Sequence, residues 1–422
     1  MTPTKERTIL IVGGGFAGVE TAKKIAAKRL PNTRIILISN KHHFEYYPAL
    51  YRVVTGKSPL EVCIPLTDIF RDRRVEVVVD DVLSVDPVEK KVVGKSGSSY
   101  HYEYLVLALG SETVYFNIPG LAENSFGFKS INEALVLKEH LHALFDKHAR
   151  LSAQELAANF QIAVVGGGAS GVELSAELLS YVQDLARRHE IGAEKVRVTL
   201  IEAAPRLVPL LPEKMSEQIK KQLELLGVTV MLNEAVTAEN KTALLMKDLP
   251  TGHADGAMPT KTVIWTSGVK PNHLYATIPG IQMEKNGRVA VTETLEAKGL
   301  TNIFIVGDAA NTQYSGMAQT ALYDGGYIAQ TIANTLLGKK VSAYTPKKVA
   351  YCIPVGRGWA IFKMGSIEFS GLIAYFIREF IDLSFFMSVL PLGTALDAWR
   401  GGTQICESCP TCLEAIDHSV KK

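Results

Sequence analysis

The chain has 422 residues, 47% of them apolar and 21% charged, with a formal net charge of +2. That length holds two or three domains with cores of their own, and a near-neutral balance excludes a general electrostatic affinity for nucleic acid. Five cysteines, unevenly placed, are too few for a disulfide framework, and no run approaches the ~20 uncharged apolar residues of a membrane-crossing helix.

Residues Met1–Arg7 run straight into an apolar strand, too short for a secretory h-region, so a cytoplasmic start is expected. Thr8–Val12 reads as that strand, followed by Gly13-Gly14-Gly15-Phe16-Ala17-Gly18 and a helical run from Val19 to about Ala27. A second strand, Arg34–Ser39, arrives at the interval a βαβ unit needs. In such a turn the first glycine permits the bend and the second lets the backbone approach a pyrophosphate. The third lets the helix pack close to the strand, with its N-terminus facing the phosphates. Where a ribose-binding acid is expected stand Ser39 and Asn40, which can hydrogen-bond a ribose without charge.

A long helix is predicted from Asn132 to about Arg150, and then the pattern returns. Gln161–Val165 is an apolar strand, Gly166-Gly167-Gly168-Ala169-Ser170-Gly171 opens a helix through Leu178, and the strand Val196–Ile201 ends at Glu202. A carboxylate there binds ribose hydroxyls and repels a 2′-phosphate, which favours NADH over NADPH. Arg206 either softens that preference or is a solvated loop cation. Glu173, at the first turn of the second fingerprint helix, either partners the helix dipole or lies near the nicotinamide and flavin; the sequence leaves both readings open. One glycine fingerprint is a weak signal, whereas two, each between an apolar strand and a helical run, are a strong one.

Thr301–Ala310 is an apolar strand ending in Gly307-Asp308. Val349–Phe362 and Ile367–Phe369 read as strands, followed by the aromatic and aliphatic segment Ser370–Leu390. That segment suits either a buried or dimer-interface helix or one lying in a membrane interface. Cys406, Cys409 and Cys412, with His418 nearby, have a spacing that can hold a metal. Thiols at a chain terminus are more often reactive surface groups, so no metal is assigned.

From residue 7 to about 390 the sequence resembles the FAD-dependent pyridine nucleotide oxidoreductases. The resemblance implies an α/β fold of two Rossmann-like domains, one inserted in the other. The FAD-binding domain is expected at 1–125 and 290–340, the NADH-binding domain at 126–289, a C-terminal α+β membrane-association region at 341–400, and a flexible cysteine-containing tail at 401–422. It places FAD on Gly13, Gly15, Phe16, Ala17, Gly18, Ser39, Asn40, Gly110, Asp308 and Ala318. Asp308 would take the ribityl chain, and Gly110 closes a strand with Leu109 where the family has threonine. NADH falls to Gly166, Gly168, Ala169, Ser170, Gly171, Glu202 and Gly268, the last within Val263–Asn272.

Within that superfamily three stretches resemble the type II NADH dehydrogenases: Pro48–Gly56, Gly166–Leu178 and Ala318–Gly325. This resemblance implies hydride transfer from NADH to flavin, then two electrons to a membrane quinone without proton pumping. It also implies a homodimer attached peripherally to the cytoplasmic side of the cell membrane. Glu173, Gln319 and Tyr323 become the candidate catalytic residues. Tyr323 stands where the family's quinone-site signature has a second glutamine, which it cannot reproduce as donor and acceptor at once. Disulfide reductases are excluded because no cysteine pair lies near the flavin positions. Cys352 lies in a strand region where a sulfide:quinone oxidoreductase could carry a flavin-side cysteine, but Cys63 sits in an apolar loop and both read better as small buried hydrophobes. Sulfide oxidation stays open as an alternative, as does a slow FAD- and NADH-binding scaffold similar to the apoptosis-inducing factors.

Overall fold

The six residues Arg7–Val12 alternate nothing: Ile9, Leu10, Ile11 and Val12 are all buried, as a parallel strand covered on both faces requires. The computed structural model describes residues 6–146, 153–401 and 406. In it Arg7–Val12 is the middle of a five-stranded sheet in the order Ile303–Ile305, Tyr104–Leu107, Arg7–Val12, Thr33–Ser39 and Glu76–Val79. Every pairing is parallel, with Leu10 opposite Ile36 on one side and Leu105 on the other. Leu10, Val12, Ile36, Ile38, Leu105 and Leu107 fill one core with Tyr275 and Ile305. Fully burying each such aliphatic side chain is worth about 1.5–3 kcal/mol. A three-stranded antiparallel sheet, Val82–Asp86, Lys91–Gly94 and Ser99–His101, sits within the same unit.

The second unit repeats the plan. Gln161–Val165 lies between Thr262–Trp265 and Arg197–Glu202, with Phe126–Gly127 and Thr229–Leu232 at the edges, all parallel. It too carries a three-stranded antiparallel sheet, Glu234–Asn240, Ala243–Asp248 and Ala254–Pro259. The long helix runs Ile131–Asp146, and the rest of its predicted span, 147–150, lies outside the described residues.

Among the described residues the first unit comprises 6–45, 64–112 and 269–349, and the second comprises 46–63, 113–146, 153–268, 350–401 and 406. The short segment 46–63 therefore groups with the second unit, as do the C-terminal strands Tyr351–Pro354, Ala360–Met364 and Ile367–Gly371 and the helix Leu372–Val389. Cys409, Cys412 and His418 lie outside the described residues, and among those described there is no cluster fit for a metal.

Candidate active site

Both glycine turns are built alike. Gly13 and Gly166 have φ of +116° and +120°, and each donates its N–H to the second strand at 2.8 Å, to Ile38 and Ile201 respectively. A Cβ on Gly18 or Gly171 would stand 1.9 Å from the carbonyl oxygen of Gly13 or Gly166, so only glycine lets each helix close on its strand. Gly15 and Gly168 differ from these. Their φ values are −87° and −71°, and no heavy atom lies within 4 Å of a built Cβ. Neither backbone nor packing demands glycine there. The open space in front of each helix N-terminus is the cradle a pyrophosphate needs.

The turns part at the end of the second strand. Ser39 is buried, and its Oγ accepts only the Lys41 N–H, at 3.2 Å, among the described contacts. Asn40 is exposed beside it. Glu202 is half-buried, with Oε2 accepting the Gly167 N–H and Oε1 the Ala204 N–H at 2.7 Å. Each oxygen keeps a second lone pair for a ribose hydroxyl. Arg206 turns to the carbonyls of Leu211 and Pro209, at 2.8 and 2.6 Å, and so serves its own loop.

In the first unit Gly307–Ala309 forms a short 3₁₀ turn after its strand, and Asp308 Oδ2 accepts the Ser111 hydroxyl at 2.5 Å. Gly110, at φ +67°, accepts the Asn272 N–H. Gly268, the matching glycine of the second unit, has φ +77° and accepts the Val114 N–H. Ala318 begins a helix through Leu336, in which Gln319 is exposed and Tyr323 half-buried one turn later on the same face. Gly325 packs this helix on Phe16–Ala27, where a Cβ would meet Ala17 O at 2.5 Å.

The second unit holds a network of buried charges that sequence reasoning passed over. Arg52 pairs with Glu61, and its Nη2 donates to Glu379 at 2.8 Å and Asp382 at 3.3 Å. Asp382 also accepts from the Tyr46 hydroxyl at 2.6 Å, while Arg378 donates to the Pro48 carbonyl at 2.7 Å. Glu173 belongs to this environment. Burial pushes its carboxyl up to about 7, against the pull of Arg378 and Arg52. Its helix begins at Ala169, so Glu173 lies past the first turn, where the helix dipole has faded, and the dipole reading loses its basis. The signal available in sequence was Arg378, Glu379 and Asp382 in an otherwise greasy helix, yet their partners lie over 300 residues away.

Over residues 7–325 the chain matches the family of pyridine nucleotide-disulphide oxidoreductases. It is 31% identical over 416 residues to the type II NADH:quinone oxidoreductase Ndh of Mycobacterium tuberculosis, covering 94% of this chain and 88% of that one. The chain belongs to the type II NADH:quinone oxidoreductases. Its fold is similar to that of NDH2 from Plasmodium falciparum in complex with NADH (TM-score 0.85, 18% identity, 94% of this chain and 98% of that chain). The sulfide:quinone oxidoreductase of Aquifex aeolicus is similar at a TM-score of 0.76 and 19% identity, covering 92% of each chain. In this type II chain Cys352 is half-buried beside the helix Leu372–Val389. Burial pushes its thiol up to about 12, and its Sγ lies 3.5 Å from the Ala374 carbonyl. A nucleophilic thiolate needs the opposite shift.

Proposed function

We propose that this type II NADH:quinone oxidoreductase holds FAD at the turn Gly13–Gly18, takes NADH at the turn Gly166–Gly171, and delivers two electrons to a quinone. The observation that carries the reading is the pair of matched turns, each with a cradle where nothing in the fold requires glycine, but with Ser39 closing one and Glu202 the other.

At the first turn, Gly15 and the amides of Phe16, Ala17 and Gly18 receive a pyrophosphate, Ser39 and Asn40 bond a ribose, and Asp308 takes the ribityl hydroxyls. Gly110 and Ala318 give close backbone approach. When bound, FAD supplies the two-electron carrier between the substrates. At the second turn, Gly168, Ala169, Ser170 and Gly171 meet the NADH pyrophosphate, Glu202 its ribose, and Gly268 lets the chain pass the nicotinamide end. Glu173, poised near neutrality, holds and releases a proton as electrons move. Gln319 donates to a quinone carbonyl, and Tyr323 stacks on the ring and offers one hydroxyl. Anaerobic stopped-flow is the test. NADH should bleach the bound flavin, and a short-chain quinone should restore it within the turnover time. Reoxidation that ignores quinone refutes the acceptor.

The same proposal places the enzyme at a membrane surface, through the helix Leu372–Val389. Its exposed face carries Leu372, Ile373, Phe376, Phe380 and Met387, with Phe376 and Phe380 62% and 65% exposed. Its charged Arg378 and Asp382 are the buried ones, together with Phe386. An apolar face outward with ions inward suits an interfacial helix. No described helix is long and apolar enough to cross a membrane. Liposome flotation should recover the holoenzyme, and Phe376→Ser with Phe380→Ser should leave it in the aqueous fraction. Attachment on the cytoplasmic side, and a homodimer through the C-terminal region, complete the proposal.

A further inference from the structure

Asp324 is the one charged residue of the helix Ala318–Leu336, and it is fully buried. A buried carboxylate is costly unless its lone pairs are filled. Here Oδ2 accepts the Gly307 N–H at 3.0 Å and Oδ1 accepts the Tyr344 hydroxyl at 2.7 Å. Burial pushes the carboxyl up to about 6, and those two bonds draw it back.

The two partners lie in two separate segments outside the helix. Gly307 opens the 3₁₀ turn that presents Asp308 to the Ser111 hydroxyl. Tyr344 belongs to the stretch 339–350, which has neither helix nor strand. Its own N–H donates to the Glu293 carbonyl at 2.6 Å. The Tyr344 ring packs 5.7 Å from that of Tyr323 and 5.1 Å from that of Tyr327. One carboxylate therefore fixes the turn bearing Asp308 and, through Tyr344, the tyrosine that replaces the family's glutamine.

We propose that Asp324 is a positioning residue for both ends of this unit's chemistry, setting Asp308 for the flavin ribityl chain and, by way of Tyr344, orienting Tyr323 toward the electron acceptor. The inference rests on the reading that this unit holds FAD. A residue serving packing alone would not need two charge-assisted bonds to two separate loop segments.

The test uses purified holoenzyme carrying Asp324→Asn, Asp324→Ala or Tyr344→Phe. FAD affinity, the absorption spectrum of the bound flavin and the two half-reactions are measured for each. Asp324→Ala should weaken FAD about tenfold or more and alter the fine structure of the flavin band. Asp324→Asn, which keeps the shape and one acceptor oxygen, should weaken FAD about threefold. Tyr344→Phe should leave FAD affinity and reduction by NADH within about twofold while raising KM for a short-chain quinone about fivefold. If Asp324→Ala does not accumulate folded, Asp324→Asn decides on the same readouts. Wild-type FAD affinity and spectrum in the Asp324 variants overturn the inference, and an unchanged quinone KM in Tyr344→Phe overturns its acceptor half. A wild-type protein that takes up no FAD would instead sink the proposed function. Normal flavin and NADH chemistry alongside indifferent variants would sink this inference alone.

Discussion

The two glycine turns share one backbone plan and end in different chemistry. Gly13 and Gly166 adopt nearly equal positive φ, Gly18 and Gly171 the same 1.9 Å approach, and Gly15 and Gly168 each lack any atom within 4 Å of a built Cβ. Yet a neutral, buried Ser39 closes the first site, while Glu202 closes the second with its carboxylate braced by two backbone amides. A braced, charged acceptor gives selective recognition of a ligand that must come and go. A neutral contact is enough where the ligand stays and other residues share the hold. On the proposed reading, the shared part of the motif takes a dinucleotide, and the residue beyond it sets how that dinucleotide is used.

The comparison breaks most visibly at the first glycine. At Gly13 a Cβ would sit 2.1 Å from the Ala108 backbone oxygen, whereas at Gly166 it meets the hydroxyls of Ser267 and Thr266 at 2.4 and 2.7 Å. Gly13→Ala should cost on the order of 3 kcal/mol and release the flavin. Gly166→Ala, where side chains can yield, should cost less and leave the flavin bound. Thermal unfolding and flavin content check both. Next in size, Glu202→Ala should raise KM for NADH about tenfold, with flavin content unchanged and the margin against NADPH reduced.

Glu173→Gln should slow acceptor reduction several-fold and remove a pH dependence. The folded carboxyl is raised from an ordinary value near 4.5 to about 7, so its acid form dominates below neutrality and is lost as pH rises through 7. The wild-type reoxidation rate should follow that ionisation, and the glutamine variant should be flat from about pH 6 to 8. Smallest is Ser39→Ala, which removes one 3.2 Å bond and should weaken FAD by no more than about threefold.

Both turns were legible in the sequence because the positive φ of Gly13 and Gly166 and the close approach of Gly18 to Gly13 and of Gly171 to Gly166 are demands within six residues, and such demands leave a local signature. The doubled α/β plan followed, as strands such as Gln161–Val165 carry an unbroken apolar run, here from Ile162 to Val165. Asp324 left a signal too, as a single acid before Gly325-Gly326 in an uncharged helix, but only the fold shows Gly307 and Tyr344 filling its lone pairs. The Arg52 network was illegible for a related reason. Tyr46 and Asp382 meet across 336 residues, and nothing local to either announces the other. Nor did the aromatic content of the last helix reveal its orientation. Phe386 faces the core while Phe376 and Phe380 face out, which depends on which side Arg378 and Asp382 bury.

The division of labour between the turns is tested most directly by Gly15→Ala and Gly168→Ala. Each adds one methyl group at negative φ into space that no protein atom occupies, so both variants should fold as the wild type does. Titration with FAD and stopped-flow reduction by NADH would then be compared. Gly15→Ala should lose flavin affinity about tenfold, whereas Gly168→Ala should keep a full complement of flavin but need about tenfold more NADH to reduce it. Loss of flavin from Gly168→Ala, or normal flavin with impaired NADH reduction in Gly15→Ala, would contradict this division.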